Sequence, residues 1–205
     1  MTLDSDGVAD DVALEIDVIE KRDDFKGFRA VETFIYRETV SGLQARREIV
    51  RTQHAVAVVA YDPKLDRLVM IRQFRIGAQL AHQRGFCTEV VAGLIDPGED
   101  AHTTAARELE EETGLSAIRV EKLCEFLTTP GMTDELLHLY YAQVDASSLS
   151  SESGVGSETE QTFPFTLTLE DALAAVDEGR ITNGIAMIAL FQFTRHRERL
   201  LGMSS

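Results

Sequence analysis

Apolar and polar positions along the chain divide it into predicted strands. Two segments rich in β-branched and aromatic residues, Phe28–Val40 and Leu43–Val50, flank Ser41-Gly42 and predict a hairpin. The nearly continuous apolar run His54–Tyr61 predicts a buried strand, which Asp62-Pro63 ends in a turn. Further strands are predicted at Leu68–Phe74, Cys87–Ala92, Ile118–Leu127, Leu136–Val144 and Phe163–Leu167.

Capping residues and a four-residue apolar period predict a helix in the middle of the chain. Pro97-Gly98 breaks the preceding segment, and Asp100 can accept hydrogen bonds from a first helical turn. Gly114 stands where a left-handed residue ends a helix. The side of this helix that can face a core is formed by Ala101, Ala105 and Leu109.

Two more helices are predicted near the end of the sequence. Thr168 and Asp171 have the spacing of a capping box, and Gly179 closes the helix that they open. Asn183 caps a strongly apolar helix that runs to about Leu200. Strands interrupted and followed by helices, without an internal repeat, predict a mixed α+β sandwich.

Composition and charge restrict the class of function. A chain of 205 residues has room for one sizeable core and a small accessory unit. The net charge of −15 argues against nucleic-acid binding, which requires a basic face. The same charge would repel an anionic substrate unless a divalent cation and local arginines offset it.

Cysteine usage and the first residues bear on the compartment. Cys87 and Cys124 lack the CxxC spacing, which predicts reduced thiols in the cytoplasm. The acidic start of the chain has no apolar core of the kind that a signal peptide requires. No apolar run reaches membrane-spanning length, so we expect no membrane partner.

The most informative segment is GLIDPGEDAHTTAARELEEETGL, which runs from Gly93 to Leu115. Within it, Glu108, Glu111 and Glu112 are three and four residues apart and therefore share one side of the predicted helix. Like charges destabilise a helix when nothing neutralises them, and carboxylate oxygens suit Mg²⁺. For the glutamates alone, a solvated acidic surface is the alternative.

The complete pattern is more specific than the glutamates. It has seven fixed positions, which are Gly93, Glu99, Arg107, Glu108, Glu111, Glu112 and Gly114. The pattern resembles the Nudix box, the signature of hydrolases that cleave nucleoside diphosphates linked to another moiety. This resemblance implies a Nudix α/β/α sandwich with a small N-terminal β-sheet subdomain. The expected boundaries are residues 1–50 for the subdomain and 51–205 for the hydrolase domain.

Segments outside the box resemble the ADP-ribose pyrophosphatase subfamily. Thr129-Pro130-Gly131 is similar to its SPG-type loop, and Gln73-Phe74-Arg75-Ile76 precedes the box as it does there. The stretches around Phe28 and Arg46-Arg47 resemble its extra N-terminal sheet. Val91 departs from the pattern, because many relatives have proline there. The resemblance implies a homodimer that hydrolyses ADP-ribose, or a similar nucleoside diphosphate sugar, to AMP and ribose 5-phosphate.

The resemblance also implies a role for each candidate site residue. The cofactor would be Mg²⁺, with Mn²⁺ as a substitute, and its ligands would be the Ala92 carbonyl, Glu108, Glu112 and Glu160. The catalytic residues would be Glu158, which activates water, and Glu111, which bridges or orients metals. Substrate contacts would come from Phe28, Arg47, Arg75, Leu94, Pro130, Gly131 and Glu135. Structural support would come from Gly93, Glu99, Arg107 and Gly114.

Several assignments have alternatives. Glu158 and Glu160 follow the Ser/Gly-rich segment Ser147–Ser157, which predicts a mobile loop, and such charges are often simply solvated. Phe28 fits a core position as well as an adenine platform, and Arg75 fits a structural ion pair. GDP-mannose or another nucleoside diphosphate sugar is an alternative substrate. A non-catalytic nucleotide-sugar sensor is a further alternative, against which the intact set of box glutamates argues.

Overall fold

Two β-sheets of different size carry the fold. A computed structural model describes residues 10–149 and 161–202, and within these residues one sheet has three strands and the other has seven. The chain divides into two compact units. The smaller consists of Met1–Thr52 with Thr129–Glu135, and the larger consists of Gln53–Thr128 with Leu136–Ser205.

The smaller unit contains an antiparallel sheet of β1 (Ile16–Phe25), β2 (Ala30–Glu38) and β3 (Gln44–Arg51), in that order. Strands β2 and β3 form the predicted hairpin, in which Phe34 lies opposite Arg47. The sequence does not predict β1, because all its residues are exposed and no buried alternation marks it. Strand β1 has no buried face and is therefore the element of this unit that the sequence pattern does not reveal.

The larger unit contains a mixed sheet, and its strands lie in segments where the sequence predicts strands. These are β4 (Ala55–Asp62), β5 (Arg67–Phe74), β6 (Phe86–Glu89), β7 (Val91–Leu94), β8 (Arg119–Leu127), β9 (Leu136–Gln143) and β10 (Thr162–Leu167). The main path of the sheet is β10-β5-β4-β9-β8, with β4 and β9 parallel. Strand β6 pairs with β5, and β7 pairs with β4.

The single strand predicted at Cys87–Ala92 is therefore two strands. The chain changes partner at Val90, so that Phe86 pairs with the end of β5 while Ala92 lies opposite Ala57 in β4. A continuous apolar run reveals burial but not a change of pairing partner, which depends on distant strands. Residues before Val90 therefore pair with β5, and residues after it pair with β4.

Four α-helices lie in the described part of the larger unit. They are α1 (Ile76–His82), α2 (Ala101–Thr113), α3 (Leu169–Asp177) and α4 (Gly184–Leu201). Helices α2, α3 and α4 confirm the predicted ones. The sequence does not predict α1, because this helix has no buried residue and its N-cap makes no side-chain hydrogen bond.

The caps of α2 confirm the local chemistry expected from the sequence. The side chain of Asp100 accepts hydrogen bonds from the backbone N–H groups of His102 and Thr103, both at 3.0 Å. Gly114 has a φ of 70° and its N–H donates to the carbonyl of Glu110. Both ends of the helix are therefore fixed by residues that favour those conformations.

The large sheet is packed on both faces. One face, which includes Val56 and Ile71, packs against Leu109 of α2. The other face, which includes Tyr141, packs against Phe193 of α4, and α3 belongs to the same cluster. This arrangement confirms the α/β/α sandwich. Within the part of the chain that the structure describes, no helix combines the length and apolar character that a membrane span requires.

Candidate active site

Arg107 organises the loop and helix that carry the acidic segment. Its guanidinium lies 3.0 Å from Glu99 Oε2, 2.8 Å from Glu108 Oε1 and 3.0 Å from Glu111 Oε2. The hydrogen bonds with Glu99 are the main reason that the pKa of Arg107 lies above its usual value. Arg107 thus pairs with Glu99 of the loop and also holds two carboxylates of the helix, Glu108 and Glu111.

Glu108 lies directly against β7. A side chain at Gly93 would overlap the carboxylate of Glu108, so only glycine leaves room for this arrangement. Burial raises the pKa of Glu108, and the charge of Arg107 opposes that rise. The glycine of the box thus has a steric role, which is to let an acidic side chain lie across the strand.

Glu112 is more enclosed and faces the same strand. Its Oε2 accepts a hydrogen bond of 3.3 Å from the backbone N–H of Ala92. Burial, followed by the charge of Glu108, raises the pKa of Glu112 to about 8. A carboxylate with a raised pKa beside a second carboxylate is an arrangement that a divalent cation would stabilise.

Within the described residues, the oxygen ligands that such a cation requires are only partly present. Glu108 and Glu112 supply hard oxygen donors, and Glu112 contacts the N–H of Ala92, whereas the role of the Ala92 carbonyl as a ligand stays a prediction. In residues 10–149 and 161–202, no three His, Cys, Asp or Glu side chains are grouped as a metal site. The third predicted acid, Glu160, and the predicted base, Glu158, lie outside the described residues.

Glu111 differs from its two neighbours. Its side chain is 54% exposed and pairs with Arg107 four residues earlier in the helix. The helix therefore directs Glu108 and Glu112 towards β7 and leaves Glu111 at the solvent edge. Its predicted catalytic role stays a prediction.

Arg75 forms the ion pair that was the alternative to a substrate contact. Its Nε and Nη2 donate to the two carboxylate oxygens of Glu89, at 3.1 and 2.9 Å. Both residues line a cavity of about 290 Å³ in the larger unit, together with His82, Ala92 and Asn183. The side chain of Arg75 is still 42% exposed, so the ion pair and a substrate contact are compatible.

Sequence reasoning missed Glu89. It lies in the predicted strand Cys87–Ala92, fourteen residues beyond its partner, and an isolated acid in an apolar strand was the available signal. A buried acidic residue in a strand requires a partner, and the arginine at the end of the preceding strand is a suitable candidate.

In the smaller unit, three predicted substrate residues line one cavity. Arg47, Pro130 and Gly131 border a space of about 340 Å³, together with the aromatic rings of Phe34 and Tyr36. The loop that contains Pro130 is tied to β3 by a hydrogen bond of 2.9 Å between the N–H of Val50 and the carbonyl of Met132. The structure brings these three residues together without assigning them a ligand.

The remaining predicted substrate residues have varied surroundings. Phe28 is 89% exposed, with the guanidinium of Arg29 at 5.3 Å from its ring centroid, so the alternative of a core position is wrong. Leu94 packs against the core of the larger unit. The backbone N–H of Glu135 donates to Thr133 Oγ1 at 3.4 Å. Substrate contacts of these residues stay predictions.

Comparison with known proteins identifies the family of this chain. The family model described as NUDIX domain matches residues 51–183, which is more than half of the chain. The chain therefore belongs to the Nudix family, and it is a Nudix hydrolase. A crystal structure described as an ADP compounds hydrolase matches its fold with a TM-score of 0.72, at 22% identity, over 95% of this chain and 100% of that one.

Two relatives match most of the chain. An ADP-ribose pyrophosphatase of Escherichia coli strain K12 is 32% identical over 190 residues, which cover 91% of each protein. A methanol dehydrogenase activator of Bacillus methanolicus is 37% identical over 165 residues, which cover 80% of this chain and 83% of the relative. Relatives over this length include both an enzyme and a protein named for its effect on another enzyme.

The contact between Gly93 and Glu108 yields a prediction about cation binding. In Gly93→Ala, the added methyl group displaces the flexible carboxylate of Glu108, so the fold survives while divalent-cation affinity falls about tenfold or more. Mn²⁺ titration by calorimetry measures the affinity, and thermal unfolding checks the fold. The control is Gly184→Ala, where an added methyl group meets no atom within 4 Å. Equal Mn²⁺ affinity in Gly93→Ala and wild type would contradict the steric role.

Proposed function

We propose that the protein hydrolyses the diphosphate of ADP-ribose, or of a closely similar nucleoside diphosphate sugar, in a reaction that requires Mg²⁺. The observation that carries the proposal is a pair of partly buried carboxylates in a chain of the Nudix family, with Glu108 lying against Gly93 and Glu112 accepting a hydrogen bond from the N–H of Ala92. Its similarity to the ADP-ribose pyrophosphatase of Escherichia coli supports this choice of substrate.

The proposed reaction has a simple atomic balance. The oxygen of water forms a bond to one phosphorus, the bond from that phosphorus to the bridging oxygen breaks, and AMP and ribose 5-phosphate leave. Bound Mg²⁺ would neutralise the phosphate oxygens and lower the pKa of water. Glu108, Glu112, Glu160 and the carbonyl of Ala92 would hold it.

The remaining residues would activate water and orient the substrate. Glu158 would accept the proton of the attacking water, and Glu111 is the alternative base. Arg75 and Arg47 would bind the diphosphate, because a planar guanidinium suits its oxygens. Phe28 would stack on adenine, since its ring is exposed. Further substrate contacts would come from Leu94, Pro130, Gly131 and Glu135.

We also propose that the protein is a cytoplasmic homodimer that associates through its N-terminal sheet. Strand β1 has no buried residue, although it carries large apolar side chains. Ile16 and Val18 line the same cavity as Phe34 and Tyr36, so one face of this small sheet is apolar. Such a face is a reasonable interface for a second copy, because three strands alone bury little surface.

The first test combines a substrate panel with a metal-ligand variant. Wild-type protein should hydrolyse ADP-ribose faster than GDP-mannose, and only with Mg²⁺ or Mn²⁺ present. Glu112→Gln keeps the side-chain shape and removes its charge, so turnover should fall on the order of 10³-fold without unfolding. Released AMP is measured by chromatography. Preferred cleavage of GDP-mannose would select the other substrate, and absence of hydrolysis of every compound would favour a sensor.

The second test separates the roles of Glu158 and Glu160. Glu158→Gln should lower kcat by roughly 10²–10⁴-fold and leave KM and the Mg²⁺ requirement unchanged, as expected for a lost proton acceptor. Glu160→Gln should instead raise the Mg²⁺ concentration at half-maximal rate. Interchanged results would reverse the two roles. Wild-type rates in both variants would move the base into the box, to Glu111.

The third test addresses the dimer. Sedimentation should show a dimer for the wild-type protein and a monomer for Val18→Asp, because a carboxylate in the apolar face cannot be desolvated cheaply. Asp17→Asn, on the opposite side of the same strand, is the matched control and should remain dimeric. A monomeric wild-type protein with full activity would disprove the interface.

A further inference from the structure

The ion pair of Arg75 and Glu89 is unevenly buried. The side chain of Glu89 is only 5% exposed, whereas the side chain of Arg75 is 42% exposed. Two parallel hydrogen bonds, of 3.1 and 2.9 Å, join the Nε and Nη2 atoms to the two carboxylate oxygens. This fork fixes the plane of the guanidinium as well as its position.

The backbone around Arg75 is fixed too. Its N–H donates to the carbonyl of Gly85 at 2.8 Å, and its carbonyl accepts from the N–H of Gln79 at 3.1 Å. Arg75 is thus held at its backbone by Gly85 and Gln79 and at its guanidinium by Glu89 in β6. A flexible side chain held at both ends loses most of its freedom to contact other carboxylates.

One such carboxylate is Glu112. It accepts a hydrogen bond of 3.3 Å from the N–H of Ala92, a residue that lines the same cavity as Arg75 and Glu89. An arginine that is able to turn would be drawn to this enclosed acid. Pairing with Arg75 would neutralise Glu112 and compete with a cation for its oxygens.

We propose that Glu89 is a positioning residue that holds Arg75 away from Glu112 and thereby keeps this carboxylate available to a divalent cation. The buried acid serves as a permanent counter-ion for the arginine. Arg75 then stays at the border of the cavity, where it can meet an anionic substrate. This second consequence rests on the proposed hydrolysis of a diphosphate, whereas the effect on the cation does not.

Mn²⁺ binding without substrate tests the proposal directly. In Glu89→Gln, which keeps the side-chain shape, the dissociation constant for Mn²⁺ should rise about tenfold or more because Arg75 now pairs with Glu112. In the double variant Glu89→Gln/Arg75→Gln, Mn²⁺ affinity should return to within about threefold of wild type. Electron paramagnetic resonance of free Mn²⁺ measures both constants. If Glu89 had only a structural role, Mn²⁺ affinity would not recover in the double variant.

A matched control and a second variant complete the experiment. Glu121→Gln removes another carboxylate of an arginine pair, that with Arg199, and should leave Mn²⁺ affinity unchanged. Glu89→Asp keeps the charge but cannot span both hydrogen bonds, so its affinity should lie between those of wild type and Glu89→Gln. If Glu89→Gln does not fold, the Mn²⁺ affinity of Glu89→Asp becomes the deciding measurement. Wild-type Mn²⁺ affinity in Glu89→Asp would then overturn the proposal.

The same variants distinguish this inference from the proposed function. If Glu89→Gln loses Mn²⁺ affinity while wild-type protein cleaves no nucleoside diphosphate sugar, the positioning role stands and the proposed function fails. If wild-type protein cleaves ADP-ribose and Glu89→Gln binds Mn²⁺ normally, the positioning role fails alone. In the double variant, KM for ADP-ribose should remain raised even though Mn²⁺ affinity recovers, because the guanidinium is absent.

Discussion

The site depends on one cation, Arg107, which contacts three carboxylates at 3.0 Å or less. Without it, the acidic side of α2 would carry uncompensated like charges along the helix. The guanidinium also joins the loop at Glu99 to the helix at Glu108 and Glu111. A single planar group with five donors can do this, whereas a lysine would offer only one point charge.

The parts of the site that the sequence predicts are those that local chemistry determines. Helix α2 has an acid that caps its first turn and a glycine that ends it, and both act within four residues. The contact of Arg107 with Glu99 spans eight residues, yet it follows from the spacing of the box. These features can therefore be read from the chain before any tertiary structure is known.

The parts that the sequence does not predict depend on distant partners. Strand β1 alternates only briefly, at Ile16, Asp17 and Val18, and helix α1 has no buried residue, so neither shows the sustained apolar period on which prediction from the sequence depends. The break at Val90 arises because β6 and β7 pair with different strands. That same break determines which residues face the cavity, and it is why the pairing of Glu89 with Arg75 is seen only in the fold.

The acids of the site fall into two groups by their electrostatic surroundings. Hydrogen bonds from Arg107 lower the pKa of Glu99, and this acid supports the loop. Burial raises the pKa values of Glu108 and Glu112, and the latter takes its hydrogen bond from the main chain of Ala92. In a protein with a net charge of −15, the site thus combines one acid that Arg107 stabilises with two acids that would gain from a bound cation. Because burial disfavours the charges of those two acids, a bound divalent cation would stabilise both carboxylates and, with them, the folded site.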